Sequence, residues 1–467
     1  MKKTTILVLF VSLILNVVFA GGLVVNTNQS AEFIRTMNRN HSTEVDAVHF
    51  NPAGLTNLND GWHLYLSNQT IKQHRTVYVM TDSTNGGAPI PYNNESYGGT
   101  TFAPVFPNLY VVYKSGRVAL SGGFMPVGGG GSATFPEGLP AFETELAGTK
   151  GLPSHMFALA VGAPNPFGFV PYGPINGYSL DAAFEGSSIY LGFQGNVSLA
   201  LSKMVSLSAG ARYVMANNEY IGHLRDITLF TENNPGGDGF GELTIEGIPY
   251  LSDKEVEASK SGSGITGIFG VNFNFGERMN VGVKYETMTE LALITSTIAD
   301  SVDLFPDGDT TNADIPAFLT VGLSFRITDN LTLNSSFGYY WNHDVNWDWA
   351  ERGTTPEAEA SDFVNNGFEG GIAAEYMLNE KLMLSAGYLY NVGGAKDEYN
   401  SDMDYSNPKT DTYATGIRYY LGEATAITVG FSHTVYDQAQ NTLIDTPFEE
   451  HYDKTANVIA FGVQHHF

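Results

Sequence analysis

The 467-residue chain has no cysteine, only 23 Lys and Arg against 49 Asp and Glu, and only 4 Trp. Without cysteine there is no disulfide framework, so stability must come from burial and backbone hydrogen bonding. A formal charge of −26 repels a phosphate backbone and argues against a nucleic-acid partner. Long apolar runs are equally scarce. Beyond the first twenty residues no stretch approaches the roughly 18 consecutive apolar residues of a spanning helix, so any membrane residence must be of the β kind.

Motifs of catalysis and cofactor binding are missing as well. The GGGG run at 128–131 follows Pro126, opens no helix and lacks the Lys-Ser/Thr of a phosphate loop, so it reads as a bend. Neither a GxSxG elbow nor an HExxH pair occurs. Histidines are scattered singly except for His465-His466, which reads as a strand end rather than a metal site. No cofactor, no metal and no enzymatic activity are expected, although a Ser-His hydrolase at a barrel rim remains an open alternative.

Lys2 and Lys3 precede an apolar run from Ile6 to Phe19 that ends at Ala20, the pattern of a cleaved signal peptide over residues 1–20. Loss of its two lysines takes the charge from −26 to −28. With Gly 52, Tyr 25, Phe 29 and a slightly negative mean hydropathy, the remaining chain is aromatic and β-prone without being oily. Transmembrane barrels have this composition because only alternate strand residues face lipid. Soluble β-proteins can share it.

Residues 26–40 are the best helix candidate, with Ser30 as cap and Phe33, Ile34 and Met37 as an apolar stripe. From Trp62 onward the period is two. In Val205–Tyr213, Leu207, Ala209, Ala211 and Tyr213 share one face, and Ser206, Ser208, Gly210 and Arg212 share the other. The same pattern recurs in 318–328, 331–341, 382–392 and 427–431. Six tight turns, at 115–117, 202–204, 276–278, 328–330, 378–381 and 422–424, alternate with seven long polar stretches. Thirteen connections imply fourteen strands, and their sidedness is that of an outer-membrane barrel with turns inside and loops outside. The end, Ile459 to Phe467, alternates and finishes on Phe, like a barrel-closing strand. Closure is required because an unpaired edge in hydrocarbon costs several kcal/mol for each backbone group.

The acidic surplus falls in the long stretches, as in 303–314 and 396–408, and reads as a solvated surface rather than a calcium site. Such a surface could gather the cations of lipopolysaccharide, which with outer-membrane lipid is an expected partner. If the oily faces point outward, Arg212, Lys284, Glu286, Arg326, Glu369, Glu375 and Arg418 point inward. They could pair with one another, or Arg212, Lys284 and Arg418 could meet a carboxylate ligand. A lumen of this size needs filling, and residues 21–60 are the natural plug of a barrel spanning 61–467.

Asp46-Ala47-Val48 followed by Asn51-Pro52-Ala53-Gly54-Leu55, placed before strand one of such a barrel, resembles the FadL/TodX family of outer-membrane transporters for long-chain fatty acids and other hydrophobic compounds. Only the Asn51-Pro52-Ala53 motif is residue-specific. The resemblance implies a monomer in which an N-terminal hatch with Asn51, Pro52, Ala53 and Gly54 as gate corner lies beside a kink of strand three. Gly122, Gly123, Phe124, Met125 and Pro126 fit that kink, since Gly permits a bulge and Pro removes a ladder donor. It also implies a gating role for Gly21 to Asn26, an apolar groove in the loops, and lateral release of ligand. Phe33, Arg212, Lys284, Arg418, Phe157 and Phe167 are the candidate ligand residues, with Phe135, Phe142, Met156 and Phe169 as further aromatic or apolar groups of the loop at 125–186. Other readings are a general porin and a secretion-related accessory or receptor barrel of the same fold.

Overall fold

A computed structural model describes residues 30–81, 92–147, 149–150, 174–231, 241–243, 252–301, 304–347, 360–402, 405–406, 408–442 and 448–467. Its strands form one continuous antiparallel sheet closed on itself. Fourteen strands make the wall: β1 (Gly61–Thr81), β2 (Ser96–Ser115), β3 (Val118–Phe135), β4 (Ile175–Ala200), β5 (Val205–Thr231), β6 (Lys254–Phe275), β7 (Met279–Glu286, resuming as Ala292–Asp300), β8 (Thr310–Asn312 and Phe318–Arg326), β9 (Leu331–Tyr340), β10 (Gly367–Asn379), β11 (Leu382–Val392), β12 (Lys409–Tyr420), β13 (Thr425–Tyr436 and Ala439–Thr442) and β14 (Phe448–His466). A three-residue segment, Gly241–Leu243, returns on the end of β5.

The closing seam runs from His63↔His466 to Thr81↔Phe448, and the Phe467 amide donates to the Trp62 carbonyl at 2.9 Å. All six tight turns lie at the same end, where strands are joined by as few as two residues, Gly116 and Arg117. The period-two reading holds through most of the wall. Leu207 and Tyr213 are exposed, while Ser206, Ser208 and Arg212 between them are buried. Around the barrel, Leu66, Val111, Phe193, Ile265, Phe337, Ile372, Ile417 and Phe461 face outward and exposed, which is the surface a hydrocarbon solvent requires. Among the described residues no helix is long and apolar enough to cross a membrane.

Two sequence expectations are corrected here. The helix expected over 26–40 amounts to one turn, Ala31–Ile34, capped by the Ser30 hydroxyl, which accepts from the Phe33 amide at 3.3 Å. Met37 at φ 56° turns the chain out of helical geometry, and residues 26–29 lie outside the described set. Arg326 does not point into a closed lumen; it is exposed at the turn end of β8, where inward residues still meet water.

Candidate functional site

Residues 30–55 are almost entirely buried inside the barrel. The wall accepts them through glycine. Going up the chain from Ala31, the segment passes Gly462 on β14, Gly430 on β13, Gly416 on β12, Gly387 on β11, Gly371 on β10, and Gly322 and Gly282 on β8 and β7. The approach is closest at Gly387, where a Cβ would lie 1.9 Å from the Thr36 carbonyl oxygen. No side chain larger than hydrogen fits there unless the plug backbone moves. Inward small residues on seven strands, β7, β8 and β10 to β14, therefore form a track that sets the path of the plug.

Charge fixes the plug along that track. The Arg35 side chain donates to Glu32 (2.6 Å) and to Glu375 of β10. Arg418 of β12 donates to Glu44 at 2.6 Å and lies 3.4 Å from Glu32. Arg39 reaches Asp46 and Glu44, both at 2.6 Å. Burial opposes the Glu44 charge, but Arg418 and Arg39 outweigh it and hold its carboxyl well below the usual range. Burial drives the His41 imidazole down to about 3, with the Arg39 charge adding to the effect, so His41 is neutral.

On the opposite side, Arg212 of β5 donates to Glu286 of β7 at 2.6 Å and to Gln194 at 2.9 Å. Lys284 donates to the same Glu286 at 2.6 Å and to the His49 carbonyl at 3.0 Å. Thus Arg212, Lys284 and Arg418, the cations considered for a ligand carboxylate, are each engaged by protein carboxylates. Phe33 stacks on Phe50 at 5.5 Å in the plug's own apolar cluster with Ile71, Phe106 and Val458. Phe157, Phe167, Met156 and Phe169, like Gly21–Asn26, lie outside the described residues. Phe135 and Phe142 pack in the apolar cluster of the mouth, Phe142 edge-on to Phe184 at 5.8 Å.

The Asn-Pro-Ala-Gly corner is anchored at three strands. Asn51 is extended (φ −162°, ψ 92°), as a residue before proline prefers, and its Nδ2 donates to the Val271 carbonyl of β6 at 3.1 Å. Pro52 opens a short 3-10 helix, Pro52–Asn57, and its carbonyl accepts from Ser198 of β4 at 2.7 Å. The Thr56 and Ser206 hydroxyls are 2.6 Å apart, joining β5. Gly54 is obligatory, because a Cβ would stand 2.1 Å from the Ser42 carbonyl oxygen. The short helix just before the corner, Ala47–Phe50, carries Val48, whose carbonyl accepts from Gln194 at 2.6 Å and whose side chain lies 3.1 Å from where a Gly123 Cβ would be. The corner braces β4 to β6, and the helix before it touches β3.

At β3 the ladder breaks. Pairing with β2 runs from Ser115↔Val118 to Leu109↔Phe124, then stops, and resumes only at Thr101↔Ala133. Residues 102–108 of β2 and 125–132 of β3 have no ladder partner in each other. Burial alternation fails at the same place, with Met125, Pro126, Val127 and Gly128 all buried. Gly122 and Gly123 lie upstream of the break and keep partners on both sides; Gly123 makes room for Val48 and Met125 instead. The bend itself is carried by two extra residues relative to β4, Val127 and Gly130, the second flanked by two left-handed glycines, Gly129 (φ 81°) and Gly131 (φ 89°).

Sequence reading missed the other lip. Strand β2 carries Pro104 and Pro107 inside the unpaired stretch and has one extra residue opposite Thr70. Three prolines thus border the opening, each lacking the donor that a ladder would use. The signal was there, since two prolines three apart in an otherwise alternating strand mark an edge. Outside, on the turn side of the opening, a groove of about 660 Å³ runs past Leu120, Gly122, Gly195, Val197 and Ala209 to Trp62 and Tyr113.

No family model and no curated relative matches this sequence. Solved structures do match in fold. A FadL homologue of Pseudomonas aeruginosa superimposes with a TM-score of 0.63 at 14% identity, over 96% of this chain and 100% of that one. The toluene transporter TodX of P. putida gives 0.54 at 14% identity, over 96% and 99%. The toluene transporter TbuX of Ralstonia pickettii gives 0.51 at 17% identity, over 91% and 94%. The chain therefore has the FadL/TodX fold, a plugged barrel of fourteen antiparallel strands.

Proposed function

We propose that this protein is an outer-membrane channel through which hydrophobic compounds pass passively, long-chain fatty acids among them. Ligand is held in the lumen beside the plug and leaves sideways through the opening between β2 and β3. The observation that carries the reading is that opening: a break in the ladder, bordered by three prolines, in a wall whose outer face is apolar. A ladder broken in hydrocarbon is costly, and nothing in the fold of the remaining wall needs it. The similarity in fold to a FadL homologue and to two toluene transporters supports the same class of cargo. A plug bonded to the wall at many points does not suit a general aqueous porin.

The pairing register supplies its own test. Seven residues of β2 face eight of β3 across the break, with one bulged residue on β2 and two on β3. Deleting Pro104, Val127 and Gly130 would leave six residues on each side, and Pro107→Thr with Pro126→Thr would restore the missing donors. Uptake of labelled oleate and toluene is compared in cells lacking their own transporters. The sealed barrel, shown folded by its heat-dependent gel shift, should lose at least about tenfold in uptake. Wild-type uptake through a folded, sealed wall would mean that cargo passes the plug instead, and the lateral route would be abandoned.

A further inference from the structure

Two of the six tight turns differ from the rest. Those at 276–278, 328–330, 378–381 and 422–424 each hold a carboxylate, Glu277, Asp329, Glu380 and Glu423, whereas those at 115–117 and 202–204 hold Arg117 and Lys203 and no acid. In a chain with 23 Lys and Arg against 49 Asp and Glu, these neighbouring turns reverse the local sign of charge. The Arg117 guanidinium donates to the Ala200 carbonyl at 2.7 Å and to that of Leu201, which ties the two turns together. Carbonyls orient the group but do not neutralise it. Lys203 is exposed, and Asp60 beside the first turn is taken by Lys114 at 2.7 Å and by the Gly116 amide at 3.1 Å.

Directly above these turns the outer face of the wall is hollow. Its outward positions there align across three strands as Gly122↔Gly195 and Gly195↔Ala211. No atom lies within 4 Å of a Cβ at Gly195, and at Gly122 only the Gln194 carbonyl oxygen does, at 3.7 Å, so packing does not require either glycine. What they provide is space, the floor of the groove of about 660 Å³ flanked by Val111, Leu120 and Val197. At its turn-side end stand Trp62 and Tyr113, 54% and 41% exposed, with ring centres 4.9 Å apart. Such rings settle at the headgroup level of a bilayer. On the other side the next outward pair, Phe124 and Phe193 with centres 5.1 Å apart, stands between the groove and the break in the ladder.

A hollow in a wall immersed in hydrocarbon fills, because empty space forfeits dispersion contacts with its lining. We infer that this face of β1 to β5 binds an anionic glycerophospholipid of the turn-side leaflet, with one acyl chain in the groove and the phosphate against Arg117 and Lys203. The cationic turns and the aromatic pair above favour the membrane's own lipid over cargo leaving through the break. The inference needs the barrel to sit in a bilayer, as proposed, and is independent of the cargo and its route.

The test uses the full barrel in vesicles containing brominated lipids, which quench a tryptophan they touch. Quenching of Trp62, read in each background as the difference made by Trp62→Phe, is compared for dibrominated phosphatidylglycerol and phosphatidylcholine at equal mole fraction. Phosphatidylglycerol should occupy the site about fivefold better, and Arg117→Gln with Lys203→Gln should bring that ratio to about one while the heat-dependent gel shift persists. Gly122→Leu with Gly195→Leu, at positions where a Cβ has room, should weaken quenching by both lipids at least about twofold. Equal quenching in wild type, or a preference that survives loss of both cations, would overturn the lipid site. So would quenching that disappears on addition of oleate, since the groove would then belong to the cargo. Uptake separates the two readings: a barrel that takes up oleate or toluene without preferring phosphatidylglycerol loses only the lipid site, and one with the preference but no uptake loses only the transport reading.

Discussion

The arc of wall from β6 to β14 and the arc from β1 to β3 treat the lumen in opposite ways. The first is bound to the plug: most of its strands offer it a glycine, and Glu375 and Arg418 grip its charges. Some buried polar groups stay unpartnered there too, among them atoms of Thr320, Asn334 and Asn391. The second arc gives up its own ladder over residues 102–108 and 125–132, bends on left-handed glycines, and leaves Gln69, Thr101 and Arg75 incompletely bonded. Barrel closure permits this division. With the long arc bonded to the plug at many points, the short arc can carry a break in its ladder that an isolated sheet in lipid could not keep.

Substitutions that exchange the character of the two arcs give the sharpest contrasts. Gly387→Leu puts a side chain where the Thr36 carbonyl already lies 1.9 Å from the Cβ position, whereas nothing lies within 4 Å of a Cβ at Gly98 on β2. The first should abolish the assembled barrel and Gly98→Leu should leave it intact, read as the fraction of heat-shifting protein after refolding into vesicles. Equal yields would mean that the plug does not need the track. Arg35→Gln comes next. It strands Glu32 and Glu375 without their shared cation, a loss of about 3–5 kcal/mol in denaturant unfolding. A change below about 1 kcal/mol would show that water, not protein, solvates these carboxylates.

Much of this division could be read in the chain before any coordinates. Alternation in 205–213 or 318–328 tells which face is outward, because lipid and lumen demand opposite chemistry from neighbouring residues. Turn lengths gave the strand number, since an antiparallel ladder of known sidedness leaves little choice. The pairing of inward charges was legible as an alternative but not its partners: Glu44 and Arg418 are 374 positions apart, and no local pattern links them. The opening was half legible. Glycine and proline in β3 announced a bend, but Gly122 and Gly123 were weighted over Gly129 and Gly131, because φ is invisible in sequence. The groove over Gly122 and Gly195 passed unnoticed for a related reason. Glycines far apart in the chain make a hollow only once the register sets them side by side.

His41 gives the plug a pH signature. Its imidazole is buried with Nδ1 unpartnered and its pKa driven down to about 3 from 6.5, so the folded plug binds no proton where the unfolded chain does. The contribution is therefore fully present above pH 6.5 and is lost as pH falls toward 3. Between pH 7 and pH 5 it amounts to about 2 kcal/mol, and His41→Gln should take about that much out of the change in unfolding stability over that window, leaving the part that buried His49 contributes with the same sign. The Glu44 carboxylate, held well below its ordinary value of 4.5, contributes stability that is present above 4.5 and is lost only as pH falls below it, outside that window. An unchanged slope in the variant would assign the dependence to other groups.

The smallest effect on stability is expected where the effect on transport should be specific. Val105 on the β2 lip is 68% exposed and has no ladder partner on β3, so Val105→Ser removes neither packing nor pairing. Stability should stay within about 0.5 kcal/mol of wild type. Uptake is another matter, because a hydroxyl on an apolar lip must be desolvated by each passing molecule and should slow release by about twofold to tenfold. The same substitution at Val429 of β13, outward and 38% exposed on the arc that holds the plug, should leave uptake unchanged. If both variants slow uptake alike, the lip has no privileged position, and the difference between the arcs is one of stability and not of route.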